Sequence, residues 1–218
     1  MIITLTGFMG CGKSSVGRFL SELLCCPFMD LDAVIEDTQG RSSPDIFAAE
    51  GEVAFRQMEV EALSQIIEAQ QLRGQKPCYP SGRRDRERSA KAQWSFAASS
   101  HSAGVGGIVS DLSAAGPGNY DKVVVALGGG AVMTPACAEL VREKTHCIYL
   151  RASIDTLVSH LENEAEGRPM LQGSSLRARI QELMALRSAT YEATAHDVID
   201  TDGKTIADIA TAIINRGA

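Results

Sequence analysis

The sequence predicts an α/β fold built as three layers, a five-stranded parallel sheet with helices on both faces. Short, β-branched apolar runs alternate along the chain with longer segments of helical period. The first of these runs is continuously apolar, as expected of a strand covered on both faces. A glycine-rich turn then separates it at once from a helical segment, giving a β-loop-α unit.

That first strand is Ile2 to Thr6. Beyond Lys13, the residues Val16, Phe19, Leu20, Leu23 and Leu24 recur at helical spacing, so one stripe of the first helix is expected to face a core. Pro27-Phe28-Met29 reads as a second short strand ending in Asp30-Leu31-Asp32, and 53–67 has helical period through Phe55, Met58, Ala62 and Ile66. The third strand covers 123–127 and closes on Gly128-Gly129-Gly130. Residues 147–150 and 198–199 supply the remaining strands, with helices between them, and Ile206, Ile209, Ala210 and Ile213 mark a last amphipathic helix.

One stretch, 72–119, breaks the alternation. It is rich in Gly, Ser, Ala, Pro and Arg, keeps no period, and reads as a low-complexity, disordered insertion within a single domain, 1–218. Arg73, Lys76, Arg83, Arg84, Arg86, Arg88 and Lys91 face only Asp85, Glu87 and Asp111 there. Such a basic piece fits a solvated surface loop, and also a contact for an anion or a partner.

Acidic residues number 27 against 21 basic ones, for a net charge of -6. This balance argues against nucleic acid and anionic membrane as partners, and requires any anionic small-molecule substrate to be held by local cations. Neither a secretory signal nor an apolar span is legible, so a cytoplasmic monomer is expected. The six cysteines, 11, 25, 26, 78, 137 and 147, contain no C-x-x-C pair and read as reduced thiols, buried except at Cys11 and Cys78.

Gly7-Phe8-Met9-Gly10-Cys11-Gly12-Lys13-Ser14 matches G-x-x-x-x-G-K-[ST] between a buried strand and an amphipathic helix, which makes the fold P-loop NTPase type. Backbone N–H groups of such a loop converge on phosphate, and the helix N-terminus adds positive potential. Gly10, Cys11, Gly12, Lys13, Ser14 and Ser15 are therefore the expected ATP-binding residues, with Lys13 reaching the β- and γ-phosphates and Ser14 ligating Mg²⁺. Cys11, beside Lys13 and near a helix N-terminus, is expected to be alkylated readily and protected by ATP.

The third strand ends in glycines instead of the usual metal-binding carboxylate, so that carboxylate must come from elsewhere. Asp30 and Asp32 would point in opposite directions if strand geometry persists, one serving the metal and the other the substrate. A polar turn or helix start is the alternative. Gly128-Gly129-Gly130 suggests close approach of backbone to a ligand, against a plain tight turn.

Taken in order, G-x-x-G-x-G-K-S, D-x-D, Gly51-Glu52 followed by Phe55-Arg56 and Glu59, Leu127-Gly128-Gly129-Gly130-Ala131-Val132, Arg168-Pro169-Met170-Leu171, and Arg187 followed by Tyr191 make a set that resembles the shikimate kinases. The likeness covers roughly 1–71 and 120–218; gluconate and adenylate kinases share the P-loop but lack the set. The resemblance implies ATP as co-substrate, Mg²⁺, and phosphoryl transfer to a hydroxyl of shikimate, giving 3-phosphoshikimate. It implies Lys13, Asp32 and Arg168 as catalytic residues, with Asp32 taking the proton and Arg168, in a lid over ATP, neutralising phosphate charge. Ser14 and Asp30 would position the metal. Arg56 and Arg187 would clamp the substrate carboxylate, with Asp32 on its hydroxyls and backbone contacts from Gly129 and Gly130, while Phe55, Glu59 and Pro169 line or brace the pocket.

Each clamp arginine has a plain alternative: Arg56 pairing with Glu52 or Glu59, and Arg187 pairing with Glu182 or facing solvent. His160 stands where the family has an arginine beside the adenine, and surface or helix packing is its expected role. Two other functions fit the chain, a kinase for another small polyol acid such as gluconate and a nucleotide-binding regulatory module without turnover. Against the second, every expected catalytic position is filled.

Overall fold

The structure of the protein is a computed structural model that describes residues 1–74, 121–162 and 175–217. Its five strands, β1 (Ile2–Thr6), β2 (Phe28–Asp30), β3 (Val123–Ala126), β4 (His146–Arg151) and β5 (Asp197–Asp200), form one parallel sheet in the order β2-β3-β1-β4-β5. Central β1 and its neighbour β3 are buried along their whole length, which is why both read as unbroken apolar runs. The chain leaves β1 toward β2 in one direction and leaves β3 toward β4 in the other. Right-handed crossovers therefore place the intervening helices α1 (Lys13–Leu23) and α4 (Pro135–Lys144) on opposite faces. The reversal falls at the carboxyl ends of β1 and β3, where ligand crevices form in open sheets.

The remaining helices are α2 (Leu31–Gln39), α3 (Ser43–Gly74), α5 (Ile154–Leu161), α6 (Leu176–Thr194) and α7 (Ile206–Asn215), with a short 3₁₀ turn at Ala131–Met133. α1 packs on α7, and α4 packs on both α3 and α6. Among the described residues no helix is long and apolar enough to cross a membrane.

Four local features depart from the sequence reading. The buried stripe of α1 is Val16, Gly17, Leu20 and Ser21, whereas Leu23 is exposed. Gly17 lets the helix press onto β2, since a Cβ there would fall 2.4 Å from Phe28 Cε2. The second strand stops at Asp30, whose side chain caps α2 by accepting the Asp32 N–H at 3.2 Å, so the helix start is the realised alternative.

The predicted 53–67 helix is the second limb of α3, which breaks at Gly51 with φ 80° and ψ 175°, a region open only to glycine. The break lets Phe47 stack on Phe55 at 4.3 Å and places the Arg56 guanidinium over the Phe47 ring. Finally, Cys25 is exposed, and it takes φ 48° in the turn that ends α1.

In that turn the Cys25 and Cys26 N–H groups bond back to the carbonyls of Glu22 and Ser21, a Schellman motif whose left-handed position normally carries glycine. Cys25→Gly is accordingly expected to stabilise the protein by about 1 kcal/mol, seen as a thermal midpoint raised by ~3 °C. Cys137 and Cys147 are buried as expected, and burial pushes both thiols up to about 12. Cys78 and most of the 72–119 segment lie outside the described residues.

Candidate active site

The phosphate loop joins β1 to α1 at the switch point. Lys13 lies across its own loop, its Nζ donating to the carbonyls of Gly7 and Phe8, each at 2.9 Å. The loop is gripped from outside by the end of α5. His160 Nδ1 donates to the Gly10 carbonyl at 2.8 Å, and the Leu161 side chain fills the space where a Gly10 Cβ would fall 2.8 Å from its Cγ. His160 is therefore more than a packing residue. A bond to a backbone carbonyl 150 positions away leaves no pattern in the sequence.

Cys11 is buried, only 3% exposed, with its Sγ close against Gly7. That burial runs against the ready alkylation expected of it. The Cys11 backbone N–H donates within the loop to Phe8 O at 3.3 Å. Ser15 is exposed in the first turn of α1.

Ser14 Oγ donates to Asp30 Oδ2 at 2.6 Å. Asp32, in the first turn of α2, turns instead toward the glycine loop after β3. The two aspartates do point to different places, through a helix start and not through strand alternation.

Each glycine of that loop meets a different neighbour. A Cβ at Gly128 would fall 2.4 Å from Glu59 Oε1 and 2.6 Å from Asp32 Oδ1; one at Gly129 would fall 3.3 Å from the Met9 nitrogen; one at Gly130 would fall 2.2 Å from an Arg56 guanidinium nitrogen. Side chains here would displace two carboxylates, the phosphate loop and an arginine, so close packing of protein groups already requires the three glycines.

Asp32 and Glu59 converge beneath Gly128, and Asp32 Oδ1 and Glu59 Oε1 are buried with no hydrogen-bond partner among the described residues. Burial raises the Asp32 pKa, the Asp30 charge adds to it, and Lys13 and Arg56 oppose it. Burial likewise pushes Glu59 up to about 7, despite the charge of Arg56 and its hydrogen bond, with Asp32 and Glu52 adding to the rise. Two unsatisfied acceptors side by side call for a ligand that donates hydroxyl protons.

The Glu59 shift has a definite sign in stability. The folded protein holds this proton up to about pH 7 and the unfolded chain releases it near 4.5, so the contribution is complete below 4.5 and is lost as pH rises to 7. Glu59→Gln has no such titration. The stability of the wild type relative to that variant is expected to fall by on the order of 3 kcal/mol across this window, read from thermal midpoints of both proteins against pH. A pH-independent difference would show that Glu59 titrates normally.

Arg56 pairs with Glu59 at 2.8 Å and with Glu52 at 2.9 Å, so both sequence alternatives are realised while its guanidinium still lies on Gly130. Arg187 is buried on α6, 6% exposed, one turn before Tyr191. Glu182, its alternative partner, pairs with Arg179 at 2.6 Å. Arg168 and Pro169 lie outside the described residues. The residues brought together are thus Lys13, Ser14, Asp30, Asp32, Arg56, Gly129, Gly130 and Arg187, with Glu59, expected to line or brace the pocket, beside them; to these the structure adds Tyr191 and His160.

The sequence profile of the shikimate kinases matches residues 9–72 and 115–217, leaving 73–114 unmatched, as an insertion would be. A shikimate kinase of Symbiobacterium thermophilum is 31% identical over 217 residues, covering 99% of this chain and 95% of the relative. That of Dictyoglomus turgidum is 29% identical over 216 residues, covering 98% and 95%. Among solved structures, shikimate kinase from Acinetobacter baumannii in complex with shikimate superposes with a TM-score of 0.71 at 25% identity, covering 99% of this chain and 91% of that one. With the profile matching on both sides of the insertion, and with Arg56, Arg187, both aspartates and the phosphate loop from Met9 onward inside the match, the chain belongs to the shikimate kinase family.

Proposed function

We propose that the protein phosphorylates shikimate with ATP, releasing ADP and 3-phosphoshikimate. The observation that carries this is the convergence on one glycine loop of two arginines, Arg56 and Arg187, and two unsatisfied carboxylate oxygens, those of Asp32 and Glu59, against the wall of a phosphate loop. Guanidinium forks suit a carboxylate, and the paired acceptors suit adjacent hydroxyls, so the pocket fits a small hydroxylated acid.

The hydroxyl oxygen attacks the γ-phosphorus, the bond from that phosphorus to the β–γ bridging oxygen breaks, and ADP leaves with the bridging oxygen. Asp32 orients the hydroxyl and receives its proton, a task helped by a pKa that burial has lifted toward neutrality. Lys13 and the loop N–H groups stabilise charge that spreads over the phosphoryl oxygens. Arg168 is the further cation of this reading.

Ser14 and Asp30 fit Mg²⁺. Both offer hard oxygens, and because Asp30 accepts the Ser14 proton, the Oγ lone pairs stay open to a cation that shares its shell with water and phosphate. Bound there, the ion would neutralise charge on the β- and γ-phosphates.

ADP release by the purified protein with ATP and Mg²⁺ tests the function, with shikimate and, as control, gluconate. Strong stimulation by shikimate alone is expected. If neither compound stimulates release while ATP still binds, the kinase function is wrong and the protein is a nucleotide-binding module; stimulation by gluconate alone would reassign the substrate.

A further inference from the structure

Tyr191 is fully buried, its ring stacked on Tyr149 with centroids 5.2 Å apart, yet its hydroxyl lies at a junction of two parts of the pocket. On one side lies the buried Arg187, one turn earlier on the same helix. On the other the O–H donates to the carbonyl of Gly129. Gly129 itself is seated against the Met9 nitrogen of the phosphate loop.

We propose that Tyr191 is a positioning residue for substrate binding, locking α6, the helix that carries Arg187, to the glycine loop through its one hydroxyl. This inference rests on the function proposed above.

The physical case has two halves. No peptide bond is cis, so the Gly130 N–H points opposite to the Gly129 carbonyl, and fixing that carbonyl fixes the direction of the N–H offered to substrate. The same bond ties α6 to the glycine loop, so the helix that carries Arg187 and the Gly130 N–H are held in one arrangement before substrate arrives, which removes an ordering cost from binding. The hydroxyl touches neither reacting oxygen nor phosphate in this arrangement, so its effect should fall on affinity for the hydroxy acid and not on the chemical step.

Tyr191→Phe in the full chain removes only the oxygen and leaves the ring to stack. Expected is a rise of about tenfold in KM for shikimate, with a matching loss in calorimetric affinity measured without nucleotide, while KM for ATP and kcat stay within about twofold. Unchanged KM for shikimate, or an equal rise in both KM values with a lowered thermal midpoint, overturns the inference, the latter by showing a merely structural role.

The wild type is measured beside it. If it shows no shikimate-dependent turnover, the proposed function fails and this inference with it; if it turns over and the variant matches it, only the inference fails. Should the phenylalanine variant not fold, a ring-fluorinated tyrosine at 191 keeps the hydroxyl. Its fluorine resonance is expected to move on saturation with shikimate, and a resonance that stays put overturns the inference.

Discussion

Asp32→Asn is expected to lower kcat by about 10²- to 10⁴-fold, the usual worth of a positioned general base. The substitution is nearly isosteric, and the α2 cap survives because Asp30 is bonded by the Asp32 backbone N–H and not by its side chain. The amide still contacts a hydroxyl but cannot take its proton. Stability should not fall with activity. The wild-type carboxylate is buried beside Asp30 and Glu59, which disfavour its ionisation, so a neutral side chain relieves the folded state. Steady-state kcat and the thermal midpoint, measured on one preparation, check both halves. A kcat within a few-fold of the wild type removes Asp32 from proton transfer, and a collapsed midpoint would mean that the lost activity was lost fold.

Gly128→Ala is expected to raise KM for shikimate by about 100-fold while ATP binding changes little. Its Cβ would intrude to 2.4 Å from Glu59 Oε1 and 2.6 Å from Asp32 Oδ1. Neither carboxylate can retreat freely: Glu59 is tied to Arg56 at 2.8 Å, and Asp32 is fixed in the first turn of α2. Displacing them unseats the hydroxyl acceptors and drags the arginine that lies on Gly130. Gly40→Ala is the matched control. Gly40 has φ 64° but no atom near its missing Cβ, so that change costs backbone strain of about 1 kcal/mol and leaves the pocket alone. Shikimate and ATP KM values for both variants decide the matter, and an unaltered shikimate KM in Gly128→Ala would mean that the loop does not frame the substrate.

The elements that were legible in the sequence are those whose cause is local. β1, β3 and β4 are buried on both faces, and that alone writes an unbroken apolar run; the phosphate loop is contiguous and carries its glycines at fixed spacing. What was missed depends on contacts between distant residues. α2 begins inside what looked like a strand end, because the Asp30 cap overrides the strand's momentum. The Gly51 break is invisible to a periodicity count that starts at residue 53, although it sets Phe47 under Arg56. Gly17 and Ser21 stand in the buried stripe of α1 where Leu23 does not, and at Gly17 close packing on Phe28 leaves no room for a side chain. For the site, motif order named Asp32, Arg56 and Arg187. That Glu59 would share a buried niche with Asp32, or that Tyr191 would join α6 to Gly129, follows only once α3, α6 and the glycine loop are folded against one another.

The grip of His160 and Leu161 on Gly10 makes α5 a thermodynamic partner of the phosphate loop. If occupancy of the loop changes how firmly Gly10 is held, then by reciprocity any change that loosens the end of α5 alters nucleotide affinity by the same factor.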